Sequence, residues 1–478
     1  MRQVPTVQRE TGSSEVSEAV QKTARSRASA LAIRFCQALL FSSGIYLAFT
    51  FSQGHLDQTQ IPGFLCALAV SWWLTPEIRT RAMRLGLVDK PGEERRIHKV
   101  AVPRLGGVAI YISIMVALVI MMAICGRFPR QGGLLGIAAG GTLIFVMGLL
   151  DDLESIPAKV KLAIQVLAAC AAYSLGVRLN ARIPLPLNVD FGFIHINGGI
   201  DVGQMAFPLT VFWLVGISNA VNLIDGMDGL AAGVSLISAI TIWSIAMAPD
   251  LHQPYAAWIA AVLAGALLGF LRWNFNPARI FLGDSGAYLA GFTLGAVAIT
   301  GVMKTATVVT VLLPMLILFF PLLDTSWAIV RRLARGQSIF APDADHIHHR
   351  LLRTGLSQKR VAYLIYALCA ALGLIANWMV GQQYYYLSIC GVVLALALFF
   401  AEVLNRQRGR SGNKAAEQSI APDEPAALEE PQQKPAIGTG TTSSAIHGVS
   451  PSAGAVPEKI TPSSLSEKPL AQDEPERG

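Results

Sequence analysis

Apolar residues in this chain run in long unbroken blocks rather than in one-sided stripes. The blocks fall at about 31–52, 62–77, 106–125, 133–150, 160–178, 207–224, 229–248, 255–273, 286–303, 306–330, 361–380 and 384–402. Most approach the roughly 20 residues needed to cross a hydrocarbon core of about 30 Å. They predict an all-α polytopic membrane protein with about 12 transmembrane helices. A polar leader covers 1–30. An extra N-terminal helix with its outer loop covers 31–61, and it reads as an uncleaved anchor because FTFSQG offers no small-x-small cleavage site. The main transmembrane domain spans 62–402. The loop at 179–206 alternates apolar and polar residues between Pro and Gly, which predicts a short periplasmic β-hairpin, with an irregular loop as the alternative. The tail at 403–478 carries nine prolines and no aromatic residue. Such a segment cannot bury enough apolar surface to fold alone and is expected to be disordered, either as a partner tether or as a dispensable extension.

Composition sharpens this picture. Only 14% of the 478 residues are charged, against roughly 25% in soluble domains, which excludes an ordinary water-soluble enzyme. Of the 69 charged side chains, 47 lie in the stretches 1–28, 77–104, 331–360 and 403–478. With the N-terminus inside, inner segments collect 32 of the 38 Lys and Arg residues, and outer loops hold five. The positive-inside rule therefore predicts both termini in the cytoplasm. The net charge of +7 reflects that orientation rather than nucleic-acid binding. The six cysteines sit singly in apolar runs, as small membrane-core residues rather than zinc ligands or a disulfide framework.

The few scattered charges carry the chemistry. Asp151 and Asp152 end a block in GLLDDLES, Asp225 and Asp228 follow another in NAVNLIDGMDG, and Asp284 lies in NFNPARIFLGDSG. Charges at membrane helix ends are costly, which favours a functional reading. Any one of these Asp residues could simply cap a helix, but five in three Gly-rich segments on the predicted cytoplasmic face argue for a site. Carboxylates with the amides of Asn219 and Asn222, and no cysteine, make a hard donor set suited to Mg²⁺ or Mn²⁺, the arrangement of phosphoryl-transfer sites. Two basic loops face the same compartment, one bearing Lys99 and Arg104, the other His346, His348 and His349 in DADHIHHRLL. The histidines lack a familiar metal spacing and fit better as donors to a phosphate or sugar.

GLVDKPGEERRIHK with PRLGG, GLLDD, NAVNLIDGMDGLAAG, NFNPARIFLGDSG and PDADHIHHRLL follow one another as in the polyprenyl-phosphate N-acetylhexosamine-1-phosphate transferases, and the chain resembles that family over about 62–400. It is similar to the branch that begins O-antigen, common antigen, teichoic acid or related envelope glycans. It departs from the phospho-N-acetylmuramoyl-pentapeptide transferases, whose last loop carries an APIHHHFE-like run. The resemblance implies transfer of a sugar 1-phosphate, with GlcNAc as the expected sugar, from a UDP-N-acetylhexosamine to undecaprenyl or another polyprenyl phosphate with release of UMP. It places the enzyme in the bacterial inner membrane and leaves a homodimer open.

By the same resemblance Asp284, with Asn222 or Asp225, holds Mg²⁺. Asp151 keeps the acceptor phosphate deprotonated and Asp152 supports it or the metal. Lys99, Asp228, Asn274 and Phe281 surround the uridine, Phe281 offering a face for stacking and Asp228 an acceptor for the uracil N–H; Asn219 counts among the substrate-binding residues, and His346, His348 and His349 contact the donor phosphate or sugar. A single in-line attack is preferred to a phosphosugar-aspartate, because a metal-bound carboxylate is a poor nucleophile. Two other classes are weighed: a secondary transporter, whose ionisable groups would sit near the bilayer midplane, and a non-catalytic membrane scaffold, which would leave the carboxylates unexplained.

Overall fold

Where the apolar blocks fall within the described residues, they are mostly helical. The computed structural model describes residues 34, 37–46, 59–89, 102–125, 133–179, 182–183, 188–190, 195–197, 200–201, 205–249, 251–301, 315–336 and 346–380. The leader, the loop with Lys99, the last predicted span and the tail lie outside these residues. In chain order the elements are α1 (Gln60–Arg84), β1 (Val88–Asp89), β2 (Val102–Pro103), α2 (Gly106–Cys125), α3 (Leu134–Leu153), α4 (Ala158–Ser174), β3 (Arg182–Ile183), β4 (Asn188–Asp190), β5 (His195–Asn197), β6 (Ile200–Asp201), α5 (Ala206–Leu223), α6 (Leu230–Ala246), α7 (Pro254–Asn274), α8 (Gly283–Gly301), α9 (Phe319–Ala334), α10 (Ile347–Arg353) and α11 (Gln358–Met379). Among the described residues six helices, α1, α2, α3, α5, α7 and α11, are long and apolar enough to cross a membrane. The protein is a mostly helical polytopic membrane protein.

Helix α8 is the axis of the bundle. Its sequence GDSGAYLAGFTLGAVAITG is rich in small residues, which lets neighbouring backbones approach closely where no hydrophobic force drives helices together. It packs against α2, α3, α5, α6 and α7, and every residue after Asp284 is buried. Outside this axis the most extensive helix pair is α1 with α7, bridged by the Ser71 hydroxyl donating to Ala266 O at 2.7 Å. The Trp213 indole on α5 donates to Gly295 O of α8 at 3.0 Å, and the Ser244 hydroxyl on α6 donates to Asn377 Oδ1 of α11 at 2.7 Å. Interhelical hydrogen bonds of this kind contribute about 0.6 kcal/mol each in a bilayer. The outward faces are apolar as well. Phe212 and Trp378 are 76% and 79% exposed, as expected of residues that meet lipid rather than water.

Strands are short and lie at the ends of helices. β1 pairs antiparallel with β2, Val88 opposite Pro103, and draws PRLGG against the N-terminus of α2. In the 179–206 region β3 pairs with β6 and β4 with β5, both antiparallel, with Val189 opposite Ile196.

Candidate active site

Three segments far apart in sequence meet at one end of the bundle, and backbone hydrogen bonds lock them together. The Gly106 and Gly107 amides donate to Phe281 O and Leu282 O at 3.0 and 2.9 Å, and the Phe281 amide donates to Pro103 O at 2.8 Å. The start of α2 thereby holds the loop that enters α8. Gly283 turns this corner at φ +75°, where an added Cβ would lie 2.0 Å from Arg104 O. Only glycine is free to adopt that conformation in that space.

Asp152, in the last turn of α3, closes the corner from the other side. Its Oδ1 accepts the Asp284 amide at 2.7 Å, and its Oδ2 accepts the Ser285 amide at 3.0 Å and the Ser285 hydroxyl at 2.5 Å. Amides in the first turn of a helix have no partner within that helix, so the carboxylate of α3 serves as the N-terminal cap of α8. Asp284 is set beside the end of α3 as a result.

The neighbouring Asp151 turns the opposite way. Its Oδ1 accepts the Ile156 amide at 2.8 Å, closing the DDLESI turn, and its Oδ2 pairs with Lys161 on the first turn of α4. The same ammonium lies 3.2 Å from Asp284 Oδ2, so one cation joins α3, α4 and α8. Tyr288, one turn along α8 from Asp284, lies near Asn222 and within range of the charges of Asp284, Lys161 and Asp151. Asn219 donates to Gln165 Oε1 of α4 at 2.6 Å.

Asp225 sits in the loop between α5 and α6. Burial, followed by the charges of Asp284, Asp152 and Asp228, holds its carboxyl well above the usual carboxylate range, with Arg104 acting in the opposite direction. A cluster with this electrostatic strain is relieved by a cation. Among the described residues no three His, Cys, Asp or Glu side chains gather to enclose a metal. Asp225 lies within range of the charge of Asp284, and these two carboxylates with the Asn222 amide are the residues that could hold Mg²⁺, an ion that takes one or two carboxylates when substrate phosphates complete its shell.

The sequence-predicted nucleotide residues divide. Asp228 is 3% exposed and its Oδ2 accepts the Asn276 amide group and the Ala278 backbone amide, both at 2.9 Å. Asn276 continues to Gln358 at the start of α11. Asn274 donates to Ile280 O at 2.9 Å, and its buried Oδ1 has no hydrogen-bond partner among the described residues. Phe281 is half-buried at the corner before α8. Lys99 lies outside the described residues.

The histidines form a second wall. His346 Nδ1 is 2.9 Å from Asp324 Oδ2 on α9, and the Ile347 amide donates to Asp324 Oδ1 at 2.8 Å. The His348 ring lies against Gly226, where an added Cβ would fall 2.7 Å from Nε2. This contact joins the wall to the loop carrying Asp225. His348 is fully buried. Burial, and next the adjacent His349, push its pKa down to about 4. His349 stacks at a tilt on it, with ring centres 4.3 Å apart.

With this geometry in place, the comparisons with known proteins decide the family. The profile of glycosyl transferase family 4 matches residues 134–302, the stretch from α3 through α8. A probable undecaprenyl-phosphate N-acetylglucosaminyl 1-phosphate transferase of Bacillus subtilis (strain 168) is 37% identical over 306 residues, covering 64% of this chain and 81% of the relative. The chain belongs to glycosyl transferase family 4. The decaprenyl-phosphate N-acetylglucosaminephosphotransferase of Mycobacterium leprae (strain TN) is 36% identical over 349 residues, covering 68% of this chain and 85% of its own length. The undecaprenyl-phosphate alpha-N-acetylglucosaminyl 1-phosphate transferase of Escherichia coli (strain K12) is 30% identical over 307 residues, covering 63% and 79%.

Within this family-4 site, sequence reasoning missed two charged residues. Lys161 was read as part of an apolar span, although its charge at a helix start was a signal. Asp324 is an acidic residue in the middle of FFPLLDTSWAIV. A charge inside an apolar helix is costly, and that cost is the signal that marks Asp324, away from any helix end.

Proposed function

We propose that this protein transfers N-acetylglucosamine 1-phosphate from UDP-GlcNAc to undecaprenyl or a related polyprenyl phosphate, the first step of a lipid-linked envelope glycan. The observation that carries the proposal is the convergence of Asp151, Lys161 and Asp284, with Asp152 as the clamp, at a helix end where a lipid phosphate and a soluble nucleotide can meet. A transporter site near the midplane would not be built from helix caps, and a scaffold needs no such cluster. The names of the relatives support the polyprenyl-phosphate acceptor and the sugar.

In the reaction an oxygen of the polyprenyl phosphate attacks the β-phosphorus of the UDP-sugar. The new P–O bond forms as the bond from that phosphorus to the bridging oxygen breaks, and UMP leaves with the bridging oxygen. Lys161 offers an ammonium to the acceptor phosphate, and Asp151 holds that ammonium in place. The acceptor is already mostly dianionic at neutral pH, because the second phosphate pKa is near 6, so Asp151 has little deprotonation to perform. Asp284 and Asp225 with Asn222 would hold Mg²⁺, which when bound would supply neutralisation of charge on the donor pyrophosphate. Asn274 Oδ1 is a free acceptor for the uracil N–H, with Asp228 bracing the loop beneath it and Phe281 and Lys99 completing the nucleotide side. Val166 and Cys170 of α4 with Phe207, Val211 and Val215 of α5 line an apolar groove near Asn219, a path for the isoprenoid chain. In this reading the site end and both termini face the cytoplasm, in a bundle of about 12 spans in the bacterial inner membrane, an orientation supported by the Lys- and Arg-rich segments of the sequence.

Purified protein should release UMP only with UDP-GlcNAc, polyprenyl phosphate and Mg²⁺ all present. Asp284→Ala should reduce turnover roughly a thousand-fold, the several kcal/mol that a bridging cation supplies. Normal turnover by that variant would remove the metal assignment, and UMP release without the lipid phosphate would remove the acceptor.

A further inference from the structure

We propose that Asp324 is a positioning residue for the donor side of the site, holding His346 and setting the histidine loop against the loop that carries Asp225. The inference rests on the function proposed above.

A carboxylate in the apolar stretch of α9 needs compensation. Asp324 is 1% exposed, and both of its oxygens are engaged by one short segment. Oδ2 lies 2.9 Å from His346 Nδ1 and Oδ1 accepts the Ile347 amide at 2.8 Å. His348 Nδ1 lies 4.0 Å from the same Oδ2. The three consecutive residues 346–348 are thus arranged around a single buried anion contributed by another helix.

The pairing has a chemical consequence. A carboxylate that accepts from Nδ1 fixes the ring orientation and leaves Nε2 as the one ring nitrogen available to a ligand, as in carboxylate–histidine pairs around metals. His346 is 5% exposed and parallel to His348 within 10°, with ring centres 5.7 Å apart. Among the described residues the His348 ring makes no hydrogen bond through either nitrogen. What holds it is the stack of neighbouring rings, the floor at Gly226 and the charge of Asp324. A cap for α10 alone would need only the Oδ1 bond to Ile347. The second oxygen, committed to His346, is what a purely structural cap does not explain.

Helix α9 also packs against α5, the helix that bears Asn219 and Asn222 and leads into Asp225. Asp324 therefore refers the histidines to the same frame as the carboxylates, although the two walls are joined by no shared backbone ladder among the described residues.

The test uses the full-length protein in detergent, with steady-state UMP release measured while UDP-GlcNAc and polyprenyl phosphate are varied in turn. Asp324→Ala is expected to raise KM for UDP-GlcNAc roughly tenfold or more, leaving KM for polyprenyl phosphate within about twofold and kcat within about threefold. Asp324→Asn, which keeps one acceptor oxygen, should fall between this variant and the parent. His346→Ala should reproduce the defect, and the double variant should be no worse than the worse single one, because both remove the same arrangement. Multiplying defects, or equal loss for both substrates, would overturn the positioning role. So would failure of Asp324→Ala and Asp324→Asn alike to fold, which would make the residue structural. A parent protein that releases no UMP would instead overturn the function, and this inference with it. Active protein with unchanged Asp324 variants would overturn the inference alone.

Discussion

The two walls of the site are built by different means. The carboxylate wall is made of helix ends locked by backbone hydrogen bonds, a cap from Asp152 and the Lys161 bridge, all within the bundle around α8. The histidine wall is one short helix, α10, tied to α9 through Asp324, seated on Gly226 by shape and packed on the core through Ile347, Leu351 and Leu352. Under the proposed function the first would position phosphorus chemistry, where small displacements are expensive. The second would recognise a nucleotide sugar that must enter and leave. A reaction centre locked by backbone hydrogen bonds facing a recognition helix held by side chains is what that division of labour requires.

The comparison breaks first at Asp152. Replacing it with alanine removes the cap that sets Asp284 beside Lys161, and turnover should fall roughly 100-fold or more, as expected for a reacting geometry displaced by about 1 Å. Saturating UDP-GlcNAc should not restore it. The lost cap should also lower stability by about 2 kcal/mol, readable as a lower melting temperature. If raising the donor concentration rescued Asp152→Ala, the carboxylate wall would be as adjustable as the histidine wall.

Gly226→Ala probes the opposite wall. The new methyl would meet His348 Nε2 at 2.7 Å, so the ring must shift while the carboxylates keep their ties. KM for UDP-GlcNAc should rise roughly tenfold, with kcat at saturation nearly unchanged, the pattern of lost binding shared by ground and transition states. A kcat effect as large as that of Asp152→Ala would merge the two walls into one unit.

How much of this could be read from the sequence follows the same division. The carboxylate wall was legible because Asp151, Asp152, Asp225, Asp228 and Asp284 interrupt apolar blocks at their ends, where a charge stands out. Their partition into distinct tasks was not legible. Asp151 and Asp152 are adjacent, yet one pairs with Lys161 and the other caps α8, and only the direction of each side chain at the end of α3 distinguishes them. The histidines were visible as a cluster, but their anchor was hidden. Asp324 precedes His346 by 22 residues on another helix, and no local period connects them. Lys161 was missed for a related reason, since the turn through Pro157 separates it from Asp151 without a repeat that a spacing argument can use.

The smallest effect is also the one that distinguishes the walls by sign. His348 has a pKa of about 4 when folded, against 6.5 for a free histidine. Between those values the unfolded chain binds more protons, so the stability contributed by the neutral ring is complete above pH 6.5 and is lost as pH falls towards 4. Asp225 behaves oppositely. Its folded pKa lies well above the free value of 3.8, so the folded state binds more protons, and its contribution is fully present below pH 3.8 and lost as pH rises through the folded value. Mild acid should therefore loosen α10 while it relieves the carboxylates. Hydrogen exchange in metal-free protein at pH 7.5 and pH 5 should show faster opening at residues 346–353 and unchanged or slower opening at 283–288. His348→Asn should abolish the first change and reduce the acid shift in melting temperature by a few degrees. Parallel loosening of both segments would mean that the walls share one tether, and that the separation drawn between them is wrong.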